Sequence, residues 1–515
     1  MKALRSGTAV ARGQAGCVSP APRPVPMSSQ AMIPSTSSPA ARAPARSGRR
    51  ALAVSAKLAD GSRRMQSEEV RRAKEVAQAA LAKDSPADWV DRYGSEPRKG
   101  SGMETDRLVI PGSKSITNRA LLLAAAAKGT SVLVRPLVSA DTSAFKTAIQ
   151  ALGANVSADG DDWVVEGLGQ APNLDADIWC EDAGTVARFL PPFVAAGQGK
   201  FTVDGSEQLR RRPLRPVVDG IRHLGARVSS EQLPLTIEAS GLAGGEYEIE
   251  AHQSSQFASG LIMAAPYARQ GLRVRIPNPV SQPYLTMTLR MMRDFGIETS
   301  TDGATVSVPP GRYTARRYEI EPDASTASYF AAASAVSGRR FEFQGLGTDS
   351  IQGDTSFFNV LGRLGAEVHW ASNSVTIRGP ERLTGDIEVD MGEISDTFMT
   401  LAAIAPLADG PITITNIGHA RLKESDRISA MESNLRTLGV QTDVGHDWMR
   451  IYPSTPHGGR VNCHRDHRIA MAFSILGLRV DGITLDDPQC VGKTFPGFFD
   501  YLGRLFPEKA LTLPG

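Results

Sequence analysis

Six times along the chain an apolar, helix-prone stretch ends in Leu-Gly or Phe-Gly and runs into a β-prone segment. The glycines are Gly153, Gly225, Gly296, Gly365, Gly439 and Gly503, and successive ones lie 72, 71, 69, 74 and 64 residues apart. Glycine directly after the last apolar residue of a helix is the expected stop, because it accepts a left-handed backbone at little cost. One such match carries no information, but six at near-constant spacing mark an internally duplicated fold, with a period too long for the common solenoids. Each unit has room for several strands and two helices. Three units per domain then predict an α/β (α+β) chain of two similar domains with a cleft between them.

The 515 residues, 41% hydrophobic and 22% charged, suit a globular chain of at least two domains. No apolar run reaches the roughly 18 residues that span a bilayer, so no membrane segment is expected. Cys17, Cys180, Cys463 and Cys490 show no framework spacing and are read as free thiols. The first 59 residues stand apart: nine are basic, none is acidic, and Ser, Ala and Pro abound without a long apolar core. That composition fits an organelle transit peptide better than a secretory signal; a basic tail that binds nucleic acid is the alternative. Residues 60–105 read as a linker with a partial helix over 68–83, broken at Asp84-Ser85-Pro86. Beyond the tail, 48 basic residues face 55 acidic ones, a net of −7 that argues against a nucleic-acid partner.

Chemistry-bearing residues gather where helices start. The run 108–110 ends at Pro111-Gly112, and Ser113-Lys114-Ser115 then opens an alanine- and leucine-rich helix carrying Asn118 and Arg119. Free N–H groups and the dipole at such a start suit a phosphate or carboxylate. A nucleotide P-loop is excluded, since Ser113 stands where that motif requires Gly. Asp182-Ala183-Gly184-Thr185 leads into a helix with Arg188 one turn inward, and Arg210-Arg211-Arg212-Pro213 is a cationic run stiffened by proline. Ser254-Ser255-Gln256 precedes an apolar helix over 258–265, and Ser281-Gln282-Pro283-Tyr284 repeats the pattern. In the second half, Ser395-Asp396-Thr397 precedes an apolar helix over 401–408, where Asp396 on its own reads first as an N-cap. Lys423 and Arg427, four apart, share a face if helical, with Glu424 beside them. A carboxylate among cations stays ionised yet can pass a proton to a substrate. Cys463-His464-Arg465-Asp466-His467 lacks a second ligand pair at zinc spacing, so no metal is expected, and no cofactor fingerprint is present.

In order from about residue 107 to 506, these stretches, with Asp466-His467-Arg468 and Lys493-Thr494-Phe495-Pro496, closely resemble the 5-enolpyruvylshikimate-3-phosphate synthase family (3-phosphoshikimate 1-carboxyvinyltransferases). The resemblance implies two domains of three βαβαββ units each, an inside-out barrel architecture. Residues 113–322 would form the first half and 323–515 the second, with a strand at 106–112 belonging to the C-terminal-half domain. It implies transfer of the enolpyruvyl group of phosphoenolpyruvate to the 5-hydroxyl of shikimate 3-phosphate, through a tetrahedral adduct and without metal, by a monomer. By similarity, Lys114, Ser115, Arg119, Ser254, Ser255, Gln256, Ser281, Tyr284, Asp396, His419 and Lys423 contact shikimate 3-phosphate. Lys114, Gly184, Thr185, Arg212, Gln256, Arg427, Arg468 and Lys493 hold phosphoenolpyruvate. Asp396 and Glu424 look like the acid/base pair, with Lys114 and Lys493 assisting. Five positions depart from the usual pattern. His419 replaces an Asn, Gln282 a Lys, Phe189 a Pro in the segment shaping the glyphosate pocket, and Glu181-Asp182 a Gly-Asn pair. The rivals are a UDP-N-acetylglucosamine enolpyruvyltransferase, whose Lys-Asn pair and catalytic Cys loop have no match here, and a non-catalytic sugar-phosphate binder.

Overall fold

The computed structural model describes residues 105–509 apart from His252, so the transit-peptide and linker expectations, and Cys17, lie outside the described residues. Twelve helices of seven or more residues carry the fold among the described residues, two to each repeat unit. They are α1 (Lys114–Ala126), α2 (Ala140–Ala151), α3 (Gly184–Ala195), α4 (Arg215–His223), α5 (Ser255–Ala264) and α6 (Gln282–Asp294) in the first lobe. In the second they are α7 (Ala324–Ser337), α8 (Phe357–Arg363), α9 (Phe398–Ile404), α10 (Arg427–Thr437), α11 (His467–Leu476) and α12 (Phe498–Leu505). The two lobes have separate hydrophobic cores, one drawn from residues 116–320 and one from 324–506 with Leu108, Ile110 and Leu137.

Within a complete unit the first strand runs parallel to the second, the second antiparallel to the fourth, and the third forms a hairpin with the fourth. In the first and fourth units the leading strand is exchanged between lobes. Arg317–Glu319 lies parallel to Lys128–Val134, whereas Asp106–Leu108 lies parallel to Arg340–Gln344, with Asp106 opposite Phe341 and Leu108 opposite Phe343. The chain therefore crosses between lobes twice, just before α1 and just before α7. Alternation explains the strands: Phe341 and Phe343 point into the core while Gln344 on the same strand is exposed.

The leading helix of every unit is buried nearly all round, and the second buries one face. Helix α3 is buried along its whole length despite Pro191 and Pro192. Pro192 cannot donate to the Arg188 carbonyl four residues back. The backbone of α5 presses on that carbonyl instead, so closely that a Cβ on Gly260 would sit 2.2 Å from it. The helix expected over 401–408 begins and ends earlier, since α9 gives way to a 3₁₀ turn at Ala405–Leu407, where Pro406 interrupts helical bonding.

Five of the six repeat glycines are helix stops with positive φ: Gly153 at 97°, Gly225 at 108°, Gly296 at 88°, Gly365 at 98° and Gly439 at 82°. Gly503 corrects the pattern. It lies inside α12, which continues to Leu505, because the sixth unit pairs only Gly459–Val461 with Ile483–Leu485 and has no hairpin to enter among the described residues. Opposite effects of one substitution follow. Gly225→Ala should lower the melting temperature by a few degrees, since nothing crowds the site and the strain is purely conformational. Gly503→Ala, equally uncrowded, should raise it, because alanine is favoured over glycine by about 1 kcal/mol in a helix interior. Shifts of the same sign in a thermal melt would contradict this assignment. No helix among the described residues is long and apolar enough to cross a membrane.

Candidate active site

The starts of the buried leading helices are linked by hydrogen bonds, within the first lobe and across to the second. The backbone N–H of Lys114, first residue of α1, donates to Asp323, the N-cap of α7, at 3.0 Å. Asn118 of α1 donates to Thr185 of α3 at 2.8 Å, and Arg188 of α3 donates to Gln256 of α5 at 2.9 Å. The N-caps Ser113 of α1 and Ala183 of α3 make no side-chain capping bond. N–H groups at both starts thus remain for an anion.

Arg427, 1% exposed, is the hub of the second-lobe side. Its guanidinium donates to Asp396 at 2.9 Å, Glu424 at 2.7 Å and Asp466 at 2.9 Å. Arg468 donates to the other oxygen of Asp396 at 2.8 Å, Lys423 approaches the oxygen shared with Arg427 at 3.8 Å, and Arg212 of the first lobe reaches Glu424 at 3.6 Å. Burial is the largest influence on both Asp396 and Glu424 and favours their neutral forms, yet the surrounding cations outweigh it. Arg468, Lys423 and Arg427 hold Asp396 well below the usual carboxylate range, and Arg212 and Arg427, with Lys493 and Lys114, do the same for Glu424. Asp396 is not a helix cap, since α9 starts at Phe398 with Thr397 in the cap position. The shared helical face for Lys423 and Arg427 is also corrected. A 3₁₀ turn ends at Leu422 and α10 starts at Arg427, capped by Asp426 on Ser429 at 3.1 Å, so Lys423 reaches Asp396 from non-helical backbone.

Two lysines meet on Asp141 in the first turn of α2, Lys493 at 2.7 Å and Lys114 at 3.4 Å. Lys493 also donates to the Asp182 carbonyl at 2.8 Å, tying the second lobe to the start of α3. Gly184 is needed there for a reason the sequence shows only in outline. A Cβ would lie 2.6 Å from the Arg188 guanidinium and 2.8 Å from that of Arg212, so close approach admits two cations to the helix start. The departing Asp182 accepts from Ser206 and from Arg465, the latter at 3.3 Å.

Arg119 anchors the other half. It is 1% exposed, donates to Thr288 at 2.8 Å and to the carbonyls of Ser115 and Tyr284 at 3.1 and 3.3 Å, and stacks 5.1 Å over the Phe189 ring. It has no carboxylate partner among the described residues, and burial lowers its pKa to about 10. Phe189 therefore belongs to the core beneath this cation. Ser254 caps α5 and Ser255 is its first residue, both buried. Ser281 takes a left-handed backbone at φ 51° and makes no capping bond; its hydroxyl lies 3.3 Å from His419 Nε2, which is also 2.7 Å from Ser395.

Burial, reinforced by Lys423 and Arg427, lowers the His419 pKa to about 4. The unfolded chain, with its histidine near 6.5, takes up this proton first, so stability drains away as the pH falls from about 6.5 toward 4. His419→Asn should therefore narrow the gap in melting temperature between pH 7.5 and pH 5 by several degrees. An unchanged gap would contradict the buried neutral state.

Sequence reasoning assigned no part to Asp141, Asp354 or Asp466. Asp466 alone carried a signal, since it caps α11 by accepting from the N–H of Arg468 at 3.1 Å in a quoted motif.

The family model described as EPSP synthase (3-phosphoshikimate 1-carboxyvinyltransferase) matches residues 100–502. The 3-phosphoshikimate 1-carboxyvinyltransferase of Trichormus variabilis is 42% identical over 407 residues, covering 77% of this chain and 95% of that protein. That of Shewanella piezotolerans is 40% identical over 409 residues, covering 77% and 96%. Among solved structures, EPSP synthase from Acinetobacter baumannii superposes with a TM-score of 0.67 at 26% identity, over 79% of this chain and 96% of that one.

Proposed function

The chain belongs to the EPSP synthase (3-phosphoshikimate 1-carboxyvinyltransferase) family and transfers the enolpyruvyl group of phosphoenolpyruvate to shikimate 3-phosphate, and we propose that the site described above does so with the following division of labour. The observation that carries the proposal is a pair of carboxylates, Asp396 and Glu424, kept ionised inside one ring of cations drawn from both lobes. Two substrates with several negative charges repel each other, and cations converging from two lobes are what hold them within reacting distance. Arg119, Lys423, the two serines at the start of α5, and the Ser281, Tyr284 and His419 group take shikimate 3-phosphate. Gln256 lies between the two halves.

Phosphoenolpyruvate lies between Lys114, Lys493, Arg212, Arg427 and Arg468, over the N–H groups of Gly184 and Thr185. Its phosphate and carboxylate then take over the cation contacts that Asp396 and Glu424 hold without substrate. Those carboxylates lose stabilisation, their proton affinity rises, and they become able to accept and return a proton as the tetrahedral adduct forms and collapses. Lys114 and Lys493 neutralise the departing phosphate, and the fixed charges stabilise the adduct without reorganising.

Both halves of the site come from one chain, so we read the protein as a monomer; sedimentation of a larger species would overturn that. We read residues 1–59, which precede the family match, as an organelle transit peptide on their composition, and its address as the plastid (chloroplast) because that agrees with a shikimate-pathway reaction. A fluorescent reporter behind them that stays in the cytosol would refute this address. The acceptor is tested by exchange. Shikimate 3-phosphate with phosphoenolpyruvate should release phosphate without added metal, whereas UDP-N-acetylglucosamine in its place should release none.

A further inference from the structure

A buried carboxylate that no motif singled out joins the two lobes beside Arg119. Asp354 lies in the 3₁₀ turn Gly353–Ser356 of the second lobe and is 3% exposed. Its Oδ2 accepts from the hydroxyl of Tyr284, in the first lobe, at 3.2 Å and from Ser325 at the start of α7. Its Oδ1 is buried with no hydrogen-bond partner. A carboxylate left half satisfied in a closed interior calls for a reason beyond packing, and its one engaged oxygen faces the other lobe. The turn also presses on the first lobe as closely as backbone allows. A Cβ on Gly353 would stand 2.3 Å from Pro283 Cβ, one residue before Tyr284. Tyr284 is thus held from three sides. Its carbonyl takes the Arg119 guanidinium, its ring lies 5.9 Å from that same guanidinium, and its hydroxyl is pinned by Asp354.

We propose that Asp354 is a positioning residue for acceptor-substrate binding: by fixing the Tyr284 hydroxyl across the lobe boundary it sets the ring that lines the Arg119 site. The inference rests on the placement of shikimate 3-phosphate at Arg119 given above. Asp396, Arg468 and Asp323 also act on Asp354. Burial and then Asp396 push its carboxyl up to about 6, against Ser325 and Arg468, so the charge is kept there at a cost.

The test is steady-state kinetics of the full chain with Asp354→Ala, Asp354→Asn, Tyr284→Phe and the Asp354→Ala/Tyr284→Phe double variant. Asp354→Ala should raise the KM for shikimate 3-phosphate about ten-fold, the equivalent of one lost hydrogen bond, with kcat within about two-fold and the KM for phosphoenolpyruvate little changed. The double variant should be no worse than either single one, because both remove the same bond. Asp354→Asn should recover most of the affinity, since its amide oxygen accepts the same hydroxyl. Additive single effects, or equal losses in kcat and in both KM values, would overturn the proposal. Arg119→Ala separates the two layers. If it leaves the shikimate 3-phosphate KM unchanged, the placement itself fails. If it raises that KM while Asp354→Ala does not, only the role of Asp354 fails.

Discussion

Asp396→Asn should lower turnover by about 10³-fold while leaving much of the substrate binding intact, and Lys114→Met should do nearly the same. The size follows from what positioned proton transfer supplies, typically 10²–10⁴-fold. Asparagine keeps the shape, but its single oxygen accepts from only one of Arg427 and Arg468, and it cannot take a proton. The cations that hold both substrates remain, so each ligand should still raise the melting temperature of the variant. Lys114 differs in one respect. It shares Asp141 with Lys493, so methionine there leaves one lysine near the departing phosphate, and binding of phosphoenolpyruvate should weaken more than in Asp396→Asn. Wild-type-like turnover in either variant would break the assignment of roles. Single-turnover rates with saturating substrates make the measurement, because they separate chemistry from binding.

The second large effect is on stability. Arg427→Met leaves Asp396, Glu424 and the wholly buried Asp466 facing one another without their shared cation. Breaking a buried pair from one side costs about 3–5 kcal/mol, which in a lobe of this size lowers the melting temperature by roughly 10 °C. The sign of its pH dependence is fixed. Arg427 is one of the cations that hold Asp396 and Glu424 below the usual carboxylate range, and the stability this gives is present above the unfolded carboxylate pKa and lost as the pH falls through the folded one. The defect should therefore be larger at pH 7 than at pH 3. Arg436→Ala is the control, since Arg436 pairs with Glu432 at 2.9 Å with over half its side chain exposed and should cost less than about 1 kcal/mol. Equal losses in the two variants would mean that the hub is not carrying the site.

Local signals made much of the fold legible. A glycine that ends a helix is readable because the left-handed backbone is a property of one residue, and five of the six did what their spacing implied. Gly503 failed because an isolated glycine can equally sit inside a helix, and nothing local distinguishes α12, held by Phe498, Tyr501 and Leu502 in the second core, from a helix about to stop. Lys423 and Arg427 do not meet the helical condition for a related reason. Four-residue spacing implies a shared face only if the helix is continuous, and Asp426 starts a new one between them. The pairing of Arg317–Glu319 with Lys128–Val134 has no sequence signal, and the place of Asp106–Leu108 in the second lobe comes only with the family resemblance, since partner choice depends on where the chain crosses between lobes.

The site divides along the same line. Serines, glycines and cations at helix starts announce themselves in sequence. Asp141 and Asp354 are single acids whose partners lie hundreds and tens of residues away, Lys493 for one and Tyr284 for the other, and only packing brings them together.

The most direct test of the account is a rapid-quench single turnover of the wild-type chain with shikimate 3-phosphate and phosphoenolpyruvate, no metal added, read by mass. Addition followed by elimination gives a species with the summed mass of both substrates that rises first and decays in step with phosphate and the enolpyruvyl product. Phosphate release with neither that adduct nor the product would contradict it.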